Sequence, residues 1–89
     1  MFLIVDIRRQ LTGYDHRMLG FADSVGLPVH VLLTKTDKLK RGQAAKALLE
    51  VRRELDDATT VQHFSALSRL GEEEARAKLE EFLSLSTDK

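Results

Sequence analysis

Residues 32–39 read LLTKTDKL, an apolar run that breaks off abruptly in Thr34-Lys35-Thr36-Asp37. Upstream the run continues through Val29-His30-Val31, behind Gly26-Leu27-Pro28. VHVLLT, Val29 to Thr34, therefore reads as a strand entered from a turn. It is almost continuously apolar rather than alternating, the pattern of a strand covered on both faces in a parallel sheet. A lysine and an aspartate two residues apart at the end of such a strand need an explanation.

Two further strands flank it. FLIVDI, Phe2 to Ile7, is apolar and partly β-branched, and stops at Arg8-Arg9. TVQHFS, Thr60 to Ser65, is weaker and alternates apolar with polar. Between and after the strands lie three helical patterns. Thr12-Gly13-Tyr14-Asp15 resembles a capping box with Asp in the place of Glu. Tyr14, Met18, Phe21, Ala22 and Val25 then fall on one helix face, and Gly26 supplies a stop. DSVG, Asp23 to Gly26, belongs to that stop, since it lies at the end of a helix and just before a strand. Ala44, Leu48, Val51 and Leu55 form the stripe of the second helix. Ala75, Leu79, Phe82 and Leu83 form that of the third, whose first turn carries Glu72, Glu73 and Glu74. STDK at the end reads as a frayed tail.

The order βαβαβα predicts an α/β fold, a three-layer open parallel sheet. Right-handed crossovers put the strands side by side in chain order, with the first two helices on one face and the third on the other. At 89 residues the chain is one domain at most, with a thin stability margin. Formal net charge is zero, so any attraction to nucleic acid or membrane must come from a local patch. Without cysteine, disulfides and thiolate metal sites are excluded, and a reducing cytoplasm fits. No apolar run approaches the ~20 residues that span a bilayer. MFLIVDIRRQ lacks the basic segment and long apolar run of a secretory signal.

Ligands of open α/β sheets bind beyond the carboxyl ends of the strands. There the chain carries Asp6, Arg8 and Arg9 after the first strand, Thr34 to Asp37 after the second, and Ser65-Ala66-Leu67 after the third. A carboxylate such as Asp37 can accept two parallel hydrogen bonds, and guanine offers two adjacent donors, its ring N–H and its exocyclic amine. Adenine has no such pair. Backbone N–H groups around Ser65 and Ala66 can donate to the guanine carbonyl. The stem of Lys35 can lie along the base, its ammonium in water. Nothing marks Ser65 as a nucleophile. His16, His30 and His63 lack the spacing of a helical metal pair, so no catalytic and no metal residues are assigned. Asp6 reads as a strand-end structural acid, capping or pairing with Arg8, rather than a catalyst. Lys35, Lys38, Lys40, Arg41 and Lys46 form a basic run, a solvated face or a contact for RNA phosphates.

TKTD, Thr34 to Asp37, resembles the guanine-specificity box (N/T-K-x-D) of Ras-like P-loop GTPases, and SAL, Ser65 to Leu67, resembles their SAK/SAL box one strand later. DIRRQLTGYDHRML, VLLTKTDKLKRG and FSALSRLG together look like the bacterial EngB/YsxC (YihA-type) ribosome-assembly GTPases. The resemblance covers essentially the whole chain but only the C-terminal half of that family's G domain. It implies half of a Ras-like domain, with residues 1–89 as the guanine-specificity half and Thr34, Lys35, Asp37, Ser65, Ala66 and Leu67 as guanine-binding residues. It also implies GTP/GDP and Mg²⁺ as family ligands, the large ribosomal subunit as partner, and a cytoplasmic place in ribosome biogenesis, cell division and septation.

The chain departs from the family pattern in two ways. Gln10 stands where a proline is usual. GxxxxGKS/T, the switch threonine and a DxxG box after a strand are missing, so no ligand for Mg²⁺ is visible. GTP binding by this chain alone is expected to be weak or absent, and hydrolysis absent. The alternative is a non-catalytic module that self-associates or binds the ribosome. FLIVDI would then be an unprotected sheet edge, and a homodimer through the first strand is expected.

Overall fold

Strands β1 (Phe2–Asp6), β2 (Val29–Thr34) and β3 (Thr59–His63) form one parallel sheet in the order β1-β2-β3. The computed structural model describes residues 1–9, 11–56 and 59–87. Gln10 lies outside them, as do Asp88 and Lys89 of the expected tail. Ser86 and Thr87 of that tail continue the last helix instead of fraying from it. Helices α1 (Gly13–Ser24), α2 (Arg41–Glu54) and α3 (Glu72–Thr87) complete the βαβαβα order. The fold is the expected α/β arrangement, consistent with half of a Ras-like P-loop GTPase domain.

Alternation along the strands sorts the two faces. Leu3, Val5, Val31, Leu33 and Val61 are buried in one cluster with Ala22 of α1 and Ala44, Ala47 and Val51 of α2. The other face carries Phe2, His30 and Gln62, and α3 packs there, with Phe82 edge-to-face on Phe2 at 5.5 Å between ring centres. The register Phe2↔His30 and Val29↔Thr59 brings all three strands to one carboxyl edge. Thr34 Oγ1 donates to Val5 O at 3.2 Å, and Ile7 N–H to Thr34 O at 3.1 Å, closing that edge between β1 and β2.

α1 begins as expected: Thr12 caps Asp15 N–H, and the Asp15 carboxylate accepts Thr12 N–H at 3.0 Å. Its packed face differs from the expected stripe. Ala22 is buried and Met18 and Leu19 pack on the core, but Tyr14, Phe21 and Val25 are each more than half exposed. The reciprocal cap turns Asp15 inward, which rotates Tyr14 away from the sheet. Gly26, at φ 69°, ends the segment in the left-handed region, so DSVG is a helix stop. In α3 only Ala75 of the expected stripe is buried; Leu79 and Leu83 are exposed. β3 ends at His63, two residues short of expectation, because Ser65 pairs with Leu70 instead of a strand. No helix among the described residues is long and apolar enough to cross a membrane.

Candidate nucleotide-binding site

Lys35 has a left-handed backbone, φ 60° and ψ 31°, followed by one 3₁₀ turn over Thr36–Lys38. A non-glycine residue there is strained and persists only where its surroundings hold it. The reversal sends the side chains after β2 in two directions. Lys35 Nζ reaches back to Asp6 Oδ2 beyond β1, at 3.8 Å. Asp37 reaches forward to Ser65 beyond β3, where the Ser65 hydroxyl donates to Asp37 Oδ1 at 2.6 Å. The lysine and aspartate thus stand two apart because each is held by a different neighbouring strand end.

Thr36, between them, is buried and locks the turn. Its hydroxyl donates to Leu33 O at 2.9 Å and accepts Phe64 N–H at 3.3 Å, while its own N–H donates to Phe64 O at 3.3 Å. Ser65 has no exposed surface, and its Oγ also accepts Ser68 N–H at 3.3 Å. Ser65 N–H is committed to Leu70 O at 3.0 Å, which corrects its expected role as a free backbone donor. Neither Thr36 nor the Ser65 side chain was assigned these contacts from sequence. Serine after an apolar strand is a turn signal, and only the fold places it opposite Asp37.

Thr34, Lys35, Asp37, Lys38, Phe64, Ala66 and Leu67 line a hollow of about 340 Å³ at this edge. That is near the lower end of small-molecule sites, roughly 300–1,000 Å³. Five of the six candidate residues are on its wall, and Ser65 lies beneath them. Leu67 is 80% exposed, an apolar side chain at the rim.

The charges are ordered. Arg8 grips Asp6 with both ends, Nε to Oδ1 at 3.2 Å and Nη2 to Oδ2 at 3.0 Å. Those bonds hold the Asp6 carboxyl down at about 2, with the Arg8 N–H and the Lys35 charge adding to them. The same pairing raises Arg8. The Ser65 hydroxyl lowers Asp37, with Lys38 Nζ 3.9 Å from its Oδ2 contributing less. Asp37 is thus an anion with lone pairs still open, since a carboxylate accepts about four hydrogen bonds. Mg²⁺ does not fit here: both carboxylates are already bonded, and each has a lysine ammonium beside it. His30 and His63 make ordinary hydrogen bonds within the fold, His63 Nε2 to Ala44 O at 2.9 Å.

No protein-family model matches the chain. Curated proteins do. A probable GTP-binding protein EngB of Xanthomonas euvesicatoria pv. vesicatoria is 44% identical over 92 residues, covering 99% of this chain and 44% of that protein. Proteins of the same name from Stenotrophomonas maltophilia and Thiobacillus denitrificans are 44% and 46% identical, covering 96% and 94% of this chain. The chain spans less than half the length of these relatives, 44% and 42% respectively. Along nearly its whole length the chain is homologous to part of these proteins named EngB.

Proposed function

We propose that the chain is the guanine-recognising, C-terminal half of the G domain of an EngB-type GTP-binding protein. The observation that carries this reading is the 2.6 Å bond from Ser65 to Asp37, which joins the two resembled boxes beside the hollow. Asp37 accepts the ring N–H and exocyclic amine of guanine, Ala66 N–H donates to its carbonyl, and the stem of Lys35 lies along the base. The role in assembling the large ribosomal subunit, in the cytoplasm, follows the family. The exposed Lys35, Lys38, Lys40, Arg41 and Lys46 support contact with RNA phosphates. Hydrolysis is not expected of this chain alone, because phosphoryl transfer relies on groups that position phosphate and metal. Amide-resolved NMR titration with GMP and AMP tests the reading. GMP alone should shift Asp37, Ala66 and Leu67; equal shifts with AMP, or none with either, overturn it.

A second reading is self-association through β1, which among the described residues pairs only with β2. Ile4 is 60% exposed on this edge strand, and Leu79 and Leu83 are exposed on α3. Two chains meeting antiparallel at β1 about a two-fold axis would cover that edge. Leu3 and Val5 are core residues here, so Ile4 is the position that probes the contact.

A further inference from the structure

The loop that carries Ser65, Ala66 and Leu67 leaves β3 and returns to it at Gly71. Its neck is closed by Gln62, only 3% exposed, on the α3 face of the sheet. The Gln62 Nε2 amide donates to His63 O at 3.0 Å and to Gly71 O at 2.9 Å, one carbonyl on each side of the neck. Because both partners are carbonyls, the amide has one orientation, and Gln62 Oε1 must face His30 Nε2, 2.6 Å away. An acceptor there requires the proton on His30 Nε2. In the neutral ring Nδ1 is then the acceptor, and the Thr60 hydroxyl, 2.5 Å away, donates to it. The donations run in one direction, from Thr60 to His30 to Gln62 to the Gly71 carbonyl, which also accepts Ala75 N–H at 2.9 Å.

Gly71 makes the neck tight. At φ 79° it has the left-handed backbone that favours glycine, and a Cβ there would overlap His63 O and stand 2.6 Å from Gln62 Nε2. The next rung up is Ser65 N–H to Leu70 O. Above that rung are Ser65 Oγ and Asp37.

We propose that Gln62, oriented by His30, is a positioning residue for the Ser65–Leu67 loop, and so sets where its backbone donors stand relative to Asp37. The consequence for guanine rests on the function proposed above; the loop geometry does not.

The test begins with the unaltered protein. Ring ¹⁵N shifts should report His30 as the Nε2–H tautomer, and the Gln62 side-chain amide protons should exchange far more slowly than those of Gln43. A His30 Nδ1–H tautomer, or a Gln62 amide exchanging like an exposed one, overturns the proposal. Next, Gln62→Met keeps the side chain's length and removes its donors. The Ser65 amide should exchange about tenfold faster or more relative to the Leu33 amide, the scale of one lost buried hydrogen bond. Equal acceleration of both amides means a merely structural role and overturns the proposal. If GMP and AMP shift the unaltered protein alike, the guanine reading fails while the exchange ratio still decides the role of Gln62. If guanine preference is present and survives Gln62→Met with an unchanged ratio, only the positioning role fails.

Discussion

The hydroxyl of Ser65 and the carboxylate of Asp37, 2.6 Å apart, link the turn after β2 to the turn after β3 side chain to side chain. The bond points the carboxylate across the hollow and favours its anionic form. Ser65→Ala should therefore move the Asp37 titration midpoint upward, as read by carboxyl ¹³C NMR. Asp37 stabilises the fold above its unfolded pKa, and that contribution is lost as pH falls through its lowered folded pKa. The variant should lessen this loss. An unmoved Asp37 midpoint would show that the bond is not populated in solution.

Nucleotide affinity should be low. A good bidentate base contact contributes about 1–3 kcal/mol, while a millimolar Kd already requires about 4 kcal/mol. Calorimetry should find GDP binding at millimolar strength or weaker, and Asp37→Asn should erase any preference for guanine. Micromolar affinity, or a preference that survives the substitution, would contradict this.

GTP hydrolysis by the purified chain should not rise above background. Steady phosphate release that disappears on changing Asp37 or Lys35 would reveal a phosphate-positioning group that has gone unrecognised.

Asp6 supplies an acid-side dependence of stability. Its carboxyl lies at about 2 in the fold against an ordinary 3.8, so its contribution is complete above 3.8 and is lost between roughly pH 4 and 2. Solvent screening of the partly exposed Arg8 pair keeps this small, about 1 kcal/mol at most. Asp6→Asn should flatten urea-measured stability in that window and leave the slope above pH 5 alone.

Sedimentation tests the β1 edge. The chain should run as a dimer at ~100 μM. Ile4→Lys should return it to a monomer with little change in helix content, since the side chain points outward. A monomeric parent with freely exchanging β1 amides would end the self-association reading.

β2 was legible to the residue because Pro28 and Lys35 bound a buried run that is apolar except at His30 and its last residue, Thr34. Thr12 and Asp15 announced the start of α1 through local chemistry alone. The inward face of α1 was not legible. Tyr14, Phe21 and Val25 are apolar, and nothing local says that a capping carboxylate will turn inward in their place. The candidate residues were legible as letters after strands, but their linkage was not. Lys35 to Asp6, Asp37 to Ser65 and Gln62 to Gly71 each depend on a backbone reversal or a neighbouring strand. The left-handed conformation of Lys35 leaves no mark in a sequence that has lysine there instead of glycine.

The sheet's register has a consequence for how the chain folds. Phe2 opposes His30 and Val29 opposes Thr59, so no strand can zip onto its neighbour through a tight hairpin. Each pairing must first close a loop long enough to hold a helix, and that entropy is lost before any ladder bond forms. The rate-limiting ensemble should then contain α1 or α2 already collapsed on β2, the strand shared by both pairings. Substitutions at Val31 or Leu33 should slow refolding, while those at Ala75 should mainly hasten unfolding.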